Sequence, residues 1–236
     1  MKKFMALLLV AGMTLSLTAC GGSTDTAKTD QADGKDTFTV GFDQDFPPFG
    51  YVGDDGEFTG FDIEMAMECA ARMGKKIVLQ PIDWDAKDME LEAGTIDCIW
   101  NGFTMNGRED QYTWTDPYMD NSQVVVVKKD SGINTLADLA GKVVEVQKES
   151  AAETALNDEE HADLMASFAQ LLSVGEYNTA FMDLESGAVD AVAIDIGVAQ
   201  FQIEGKEDQY QILDETISSE QYAVGFFLGN TALRDE

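Results

Sequence analysis

Strand patterns alternate with helix patterns from Thr37 to Leu228, and this alternation constrains the fold more than any other feature of the sequence. Residues 38–42 and 76–82 form short apolar runs that are typical of strands. Between them, residues 61–73 place apolar side chains on one helical face. Such a succession is typical of an α/β fold, in which helices cover the faces of a sheet.

Local signals predict where several helices begin and end. Asp62 is in the position of an N-cap for the first helix, and Gly74 is a stop signal after it. Residues 150–153 (SAAE) have the spacing of a capping box, which predicts a helix that begins at this point. The residues around Arg108 have a similar spacing and predict a further helix start.

The alternating pattern divides into two units joined by a long strand, predicted at 122–129. The second unit contains strand patterns at 142–147 and 188–194 and helix patterns at 178–186 and 196–203. Two α/β units connected in this way predict two lobes with a cleft between them.

The first residues have the pattern of a targeting segment. Two lysines precede an uncharged apolar run at 4–17, which is too short to span a membrane comfortably. The run ends in LTAC, which resembles the lipobox of bacterial lipoproteins, where the signal is cleaved before a lipid-bearing Cys. We therefore expect a lipoprotein signal peptide at 1–19, a lipidated Cys20 and, over 20–36, a flexible polar tether. The alternative is an ordinary secretory signal with a chance Cys, or a short core helix.

Charge and cysteine content exclude several classes of partner. The chain has 15 Lys and Arg against 44 Asp and Glu, a formal net charge of −29, which repels nucleic-acid phosphates. The single His161 lies in a polar run, and no metal-ligand or cofactor motif is present, so we expect neither metal nor cofactor. Cys69 and Cys98 would be free to pair outside the cytoplasm or to remain as two buried thiols, and we favour the thiols.

Four blocks of sequence carry a family resemblance. They are VGFDQDFPPFGYV at 40–52, GFDIEMA at 60–66, GTIDCIWNGFTMNGREDQYTWTDPYMDNSQVVVVKK at 94–129 and ESGAVDAVAIDIGVAQF at 185–201. In this order they resemble the amino-acid-binding family of bacterial extracellular solute receptors, which serve ABC importers. The resemblance implies a two-lobe, type II periplasmic-binding-protein-like α/β fold with the ligand cleft between its lobes. We expect lobe 1 at 37–124, lobe 2 at 125–220 and a return to lobe 1 at 221–236, truncated because relatives continue with further helices.

Arg108 and Asp195 are the expected partners of the two charged groups of an amino acid. A guanidinium can hold a carboxylate with two hydrogen bonds, and Asp195 follows a buried strand, where a side chain faces the crevice at the edge of a sheet. The alternatives are a surface ion pair for Arg108 and a helix N-cap for Asp195. Both align with ligand-binding positions of the family. Ser150 and the backbone amide of Ala151 would complete the carboxylate site at a helix start.

The resemblance adds two further groups of site residues. The group expected beside the ligand's backbone is Asn101, Gly102 and Thr104, and the group expected around its side chain is Phe46, Trp84 and Asp43. The two aromatic residues would otherwise be ordinary core residues. A carboxylate at this position implies a ligand with a polar or cationic side chain.

The resemblance implies a receptor that binds a free polar or basic amino acid, passes it to an ABC permease and catalyses no reaction. We expect a monomer outside the cytoplasm, held at the membrane only by its lipid. Two other classes remain open. One is an enzyme on the same scaffold that resembles cyclohexadienyl (prephenate or arogenate) dehydratases, and the other is the ligand-sensing module of a receptor kinase or channel.

Overall fold

The structure, a computed structural model, describes residues 35–236. The predicted signal peptide, Cys20 and the tether as far as residue 34 lie outside the described residues. The helices within 35–236 are α1 Phe61–Arg72, α2 Lys87–Ala93, α3 Ala151–Asn157, α4 Ala162–Ser167, α5 Tyr177–Ser186, α6 Ile196–Ile203 and α7 Thr231–Asp235. None of these helices is long and apolar enough to cross a membrane. Three 3₁₀ helices lie at Trp84–Ala86, Leu136–Leu139 and Glu159–His161. The strands are β1 Thr37–Phe42, β2 Asp45–Phe46, β3 Gly50–Val52, β4 Phe58–Thr59, β5 Lys76–Pro81, β6 Cys98–Ile99, β7 Thr113–Trp114, β8 Met119–Lys128, β9 Val143–Gln147, β10 Gln170–Val174, β11 Ala191–Asp195, β12 Tyr210–Ile212, β13 Ser218–Tyr222 and β14 Gly225–Phe226.

The first lobe is built on a five-stranded sheet with the order β5-β1-β6-β14-β7. β1 runs parallel to β5 and β6, whereas β14 is antiparallel to both of its neighbours. Ala66 and Ala70 of α1 lie one helical turn apart on the same face and share a buried core with Phe38 and Val40 of β1. The apolar periodicity of the sequence therefore becomes the helix face that covers this sheet.

The second lobe has a six-stranded sheet in the order β10-β9-β11-β8-β12, with β13 also pairing with β8. Val124 and Val126 of β8 pack with the core that includes α5 and α6, while Val125 and Val127 pack with the core that includes α3. A strand that is buried on both faces needs apolar side chains at every position. This requirement explains the uninterrupted valine run.

Two short connections join the lobes and lie side by side. One runs from β7 to β8 and the other from β13 to β14. They hydrogen-bond to each other, because the amide of Tyr118 donates to the carbonyl of Tyr222 at 2.9 Å and that of Thr115 to Val224 at 3.1 Å. The lobe bounds expected at 124 and 220 fall inside β8 and β13 respectively.

A small sheet, β2-β3-β4, projects from the first lobe towards the second. Phe46 and Phe49 belong to the core cluster of the second lobe. Their rings lie 6.0 Å from Tyr177 and 5.3 Å from Tyr222, respectively. The lobes are therefore in direct contact on this side of the cleft.

Several local predictions are wrong, and each has a physical reason. Gly60, not Asp62, caps α1, because the chain enters the helix with a φ of 130° that favours glycine. No helix begins at Arg108, where residues 105–112 form successive turns. The single strand predicted from Tyr222 to Leu228 is two strands, β13 and β14, because the chain crosses between the lobes there. Helix α4 and strand β10 were not predicted, because their residues lack a strong periodic signal. Cys69 and Cys98 are free thiols, as favoured, but only Cys98 is fully buried and Cys69 is half-buried.

Candidate functional site

A cavity lies between the two lobes, with about 290 Å³ of empty space that includes its opening to solvent. The residues that line it are Asp43, Phe46, Trp84, Asn101, Gly102, Thr104, Arg108, Gln147, Ser150, Ala151 and Asp195. The structure thus brings every binding residue predicted from the sequence to one cavity, and it adds Gln147. Strand ends explain this convergence, because Asp43 follows β1, Asn101 follows β6, and Gln147 and Asp195 end β9 and β11.

The loop after β6 is held by buried hydrogen bonds. The amide oxygen of Asn101 accepts from the backbone N–H of Asp43 at 3.0 Å, and the carboxylate of Asp62 accepts from the N–H of Gly102 at 2.6 Å. A side chain on Gly102 would lie 2.8 Å from the ring of Phe46, at a φ of 57° that already favours glycine. The amide of Gly102 is therefore used within the protein, whereas the side-chain nitrogen of Asn101 is buried without a hydrogen-bond partner among the described residues.

Arg108 reaches across the cleft from the first lobe. Its guanidinium donates to the carbonyl of Thr104 at 3.2 Å and to the hydroxyl of Thr154 on α3 at 3.5 Å, and it lies 5.4 Å from the ring of Phe103. Among residues 35–236 no ion pair contains Arg108, so the predicted alternative of a surface ion pair is not formed. The guanidinium retains the charge and the donors to hold a carboxylate.

The start of α3 faces Arg108 from the second lobe. The hydroxyl of Ser150 accepts from the N–H of Glu153 at 3.1 Å, which is half of the predicted capping box. The other half differs, because the Glu153 carboxylate accepts from the N–H of Glu149 at 2.6 Å. Glu149 has a φ of 58°, a left-handed conformation that turns the chain into the helix. The first-turn amide of Ala151 has no acceptor within the helix and lies at the cavity wall.

Asp195 forms the acidic end of the cavity. One of its oxygens accepts hydrogen bonds from Asn121 and Gln123, both at 2.7 Å, and from the hydroxyl of Tyr222 at 2.6 Å. It occupies the N-cap position of α6 but makes no side-chain cap there, so the predicted capping role is wrong. Burial, and then the negative charge of Glu220, raise the pKa of Asp195 to about 7.

Glu220 is a buried carboxylate that the sequence reasoning missed. It accepts from Asn121, Gln123 and Thr104, each at 2.7 Å, and so shares two amide donors with Asp195. A signal existed in the sequence, because Asn121 and Gln123 are two residues apart at the start of a strand that otherwise reads as buried. Polar residues with that spacing on a buried strand need acidic or amide partners.

The opposite end of the cavity contains Asp43. Its carboxylate accepts from the side chain of Gln147 at 2.6 Å and from the N–H of Asp45 at 2.8 Å. Burial, with smaller contributions from the charges of Asp45 and Glu176, raises the pKa of Asp43 to about 6. Gln147 comes from the second lobe, so this hydrogen bond also joins the lobes.

Lys87 is a buried cation beside the cavity that the sequence reasoning also missed. Its ammonium lies 5.4 Å from the ring of Trp84 and donates to the carbonyl of Glu149 at 3.4 Å, across the lobes. Burial lowers the pKa of Lys87 from its usual value. Lys148 and Asp85 form a second cross-lobe contact at 2.6 Å, at the surface.

In the described part of the chain, no group of three His, Cys, Asp or Glu side chains is arranged to hold a metal ion.

Comparison with known proteins agrees with this architecture. Residues 38–179 match the family model of bacterial extracellular solute-binding proteins, family 3. The chain is 30% identical to the L-cystine-binding protein TcyJ of Escherichia coli over 232 residues, which cover 97% of this chain and 83% of that protein.

Solved structures agree as well. An ABC uptake transporter substrate-binding protein from Streptococcus pneumoniae with bound histidine superposes with a TM-score of 0.80 at 33% identity, covering 85% of this chain and 83% of that one. A mutant of arginine-bound ArgBP from T. maritima superposes with a TM-score of 0.77 at 30% identity, covering 85% and 92%. The chain belongs to the bacterial extracellular solute-binding proteins of family 3.

Proposed function

We propose that this protein binds a free L-amino acid with a polar or basic side chain in the cavity between its lobes and passes it to an ABC importer, without catalysing a reaction. The observation that carries the proposal is the arrangement of charge. Arg108 lies beside the start of α3 and Asp195 lies in the same cavity, and neither belongs to an ion pair within the described residues 35–236. A zwitterion has the opposite charge at each of these positions.

The other end of the cavity supports a polar or basic side chain. Asp43 is buried there, and Asp45 and Glu176 add negative charge close to it. A ligand cation would offset the cost of burying the Asp43 carboxylate. Relatives named for cystine, histidine and arginine are consistent with such a ligand.

A thermal-shift screen of the proteinogenic L-amino acids, with L-ornithine and L-cystine, tests this function. A ligand at about 100 times its dissociation constant stabilises the bound protein by about 2.7 kcal/mol. For a body of this size the melting temperature then rises by roughly 5–10 °C. We expect the largest shifts from basic or long polar amino acids. A panel without any shift contradicts the proposal.

Two variants test the roles of the charged residues. Arg108→Ala and Asp195→Asn should each abolish the shift without lowering the ligand-free melting temperature, and Asp195→Asn, which removes a buried carboxylate, should raise it. Arg72→Ala is the matched control, because Arg72 is exposed on α1 and pairs only with Glu68. A full ligand-induced shift in either site variant would show that the replaced residue does not contribute to the binding site.

We also propose that the protein is a monomer held at the outer face of the membrane by a lipid on Cys20. The sequence LTAC before this residue supports the anchor. Cys20→Ser should release the protein from the membrane fraction of a bacterial host without a change in amino-acid affinity. Continued sedimentation of the Ser variant with membranes would refute the lipid anchor.

A further inference from the structure

Asp195 and Glu220 form a pair of carboxylates that share the same donors. Asn121 and Gln123 each lie 2.7 Å from one oxygen of Asp195 and 2.7 Å from one oxygen of Glu220. The two oxygens therefore cannot be further apart than twice that distance. Both side chains are buried, with 4% of Asp195 and 7% of Glu220 exposed. Two carboxylates this close in a buried site repel each other when both are ionised.

The groups around the pair do not supply a compensating positive charge. Tyr222 of β13 donates its hydroxyl to Asp195, and the Thr104 hydroxyl donates to Glu220. Tyr177 of α5 and Tyr118, which precedes β8, also face the pair or Tyr222. All of these groups are neutral.

Cations of the protein are directed elsewhere. Arg108, in the same cavity, donates to the Thr104 carbonyl and to Thr154, and neither carboxylate belongs to an ion pair among residues 35–236. Because no side-chain cation of residues 35–236 pairs with either carboxylate, a proton can supply the compensating positive charge in the ligand-free protein.

We propose that Asp195 and Glu220 share one proton in the ligand-free protein and release it to solvent when the ammonium group of an amino acid binds. This inference rests on the proposed function and adds a role for Glu220. In the exchange, the O–H bond of the pair breaks, its proton leaves to water, and an N–H of the ligand ammonium donates to the freed oxygen. The charge at the site is unchanged, because one ammonium replaces one proton.

Glu220 acts through Asp195 and not on the ligand itself. It does not line the cavity, whereas Asp195 does. Glu220 is therefore a positioning residue: its charge adds to burial in favouring the protonated form of Asp195, and it orients the two amides that fix the Asp195 side chain. The raised pKa of Asp195, which is due to burial and then to Glu220, is consistent with this role.

Titration calorimetry at several pH values in buffers with different ionisation enthalpies measures the released proton. The titrant is the amino acid that gives the largest thermal shift in the screen above, and L-arginine is the expected case, since its groups scarcely titrate between about pH 5 and 7. At the acidic end we expect close to one proton per ligand from the pair, in addition to the proton that Asp43, with its pKa of about 6, releases to a basic side chain. The dissociation constant should rise by about tenfold per pH unit between about pH 7 and 6, and more steeply below about pH 6.

Glu220→Gln keeps the volume of the side chain and removes its charge. It should lower the pKa of Asp195, so that proton release at about pH 7 is reduced and the pH profile moves to lower pH, although burial still raises this pKa. Glu220→Asp, which keeps the charge, should behave like the wild type. The matched control is Glu64→Gln, on an exposed position of α1. A Glu220→Gln protein that releases as many protons as the wild type at every pH would overturn the proposal. So would proton release that disappears in Asp43→Asn but persists in Glu220→Gln.

Infrared spectroscopy of the ligand-free protein tests the shared proton without any ligand. The carbonyl band of a protonated carboxylic acid should be stronger in the wild type than in Glu220→Gln near neutral pH. Equal bands would refute the shared proton even if amino acids bind. If the band differs but no amino acid in the panel binds, the proposed function fails while the proton-sharing pair remains.

Discussion

Asp62 offers a test of the site's framework that does not depend on the ligand. Its side chain is fully buried, and one carboxylate oxygen accepts from the N–H of Gly102 at 2.6 Å and from the hydroxyl of Tyr118 at 2.8 Å. The other oxygen is buried without a hydrogen-bond partner among the described residues. Burial is the largest effect and raises the pKa of Asp62 from its usual 3.8 to about 7.

The sign and size of the effect on stability follow from this pKa. Because the folded protein holds the proton of Asp62 more tightly than the unfolded chain does, the free energy of unfolding falls as pH rises between the two pKa values. A change from 3.8 to about 7 is roughly 3 pKa units, or about 4 kcal/mol over the whole interval, at about 1.4 kcal/mol per unit. The stabilisation that the Asp62 proton gives the folded protein is complete below the unfolded-state pKa of 3.8 and is lost by about pH 7.

Asp62→Asn removes this titration, because the amide cannot ionise. Urea unfolding of the ligand-free wild type and variant, between about pH 5 and 8, gives the difference in their free energies of unfolding. We expect the variant to gain about 1.4 kcal/mol relative to the wild type per pH unit up to about pH 7, and then to level off. Any fixed cost of the amide cancels, because only the change with pH is compared.

Asp54→Asn, in an exposed turn, is the control and should give a difference that does not vary with pH. The reasoning is refuted if the difference between wild type and Asp62→Asn is also constant over this range. In that case the Asp62 carboxylate would be ionised in the folded protein at little cost in free energy. Its hydrogen bond with Gly102 would then be like one made by a carboxylate in water.

Three further predictions concern other contacts. Gly60→Ala should destabilise the protein by about 2 kcal/mol more than Gly56→Ala in thermal or urea unfolding. A side chain at Gly60 would lie 2.3 Å from a backbone oxygen, whereas Gly56 faces open space. Equal losses of stability in the two variants would contradict this prediction. Gln147→Ala should weaken amino-acid binding about tenfold in calorimetry, since it removes a buried cross-lobe hydrogen bond. Lys148→Ala, which removes a surface ion pair, should change the affinity less than about fivefold, and the reverse order would refute the comparison. The buried Cys98 should resist a thiol reagent until the protein unfolds, as mass spectrometry of the labelled peptide would show; rapid native labelling would contradict its burial.

The sequence predicted the elements whose periodicity results from burial. Helix α1 and the valine run of β8 were predicted correctly because their apolar side chains contact sheets and helices in a regular order. The two-lobe α/β class followed from the succession of these elements. Short pieces such as β2, β7 and β14 contain two residues each, and so few residues carry no periodic signal.

Prediction of the site depended on what each residue contacts. Asp195 could be named because a charged residue at a strand end indicates a cleft, and Arg108 because of the sequence block in which it lies. Gln147 and Glu220 could not be named as site residues, because their roles depend on hydrogen bonds to residues far away in sequence. Gln147 bonds to Asp43, and Glu220 bonds to the side-chain amides of β8. Long-range hydrogen bonds of this kind become visible only after the strands have been paired.

The cavity is costly for the ligand-free protein, and this cost explains how it can bind a small ligand tightly. Asp43 and Asp195 are buried at opposite ends, and no ion pair within residues 35–236 involves either one. A lysine or arginine beside each would stabilise the protein, but it would occupy the position that a ligand cation needs. Because the compensating charge is left to the ligand, its binding relieves an electrostatic cost that the folded protein already bears, and that relief adds to the affinity. It follows that replacing either carboxylate by its amide should raise the ligand-free melting temperature at neutral pH while weakening binding. A variant that loses both stability and affinity would show that these carboxylates are structural and not reserved for a ligand.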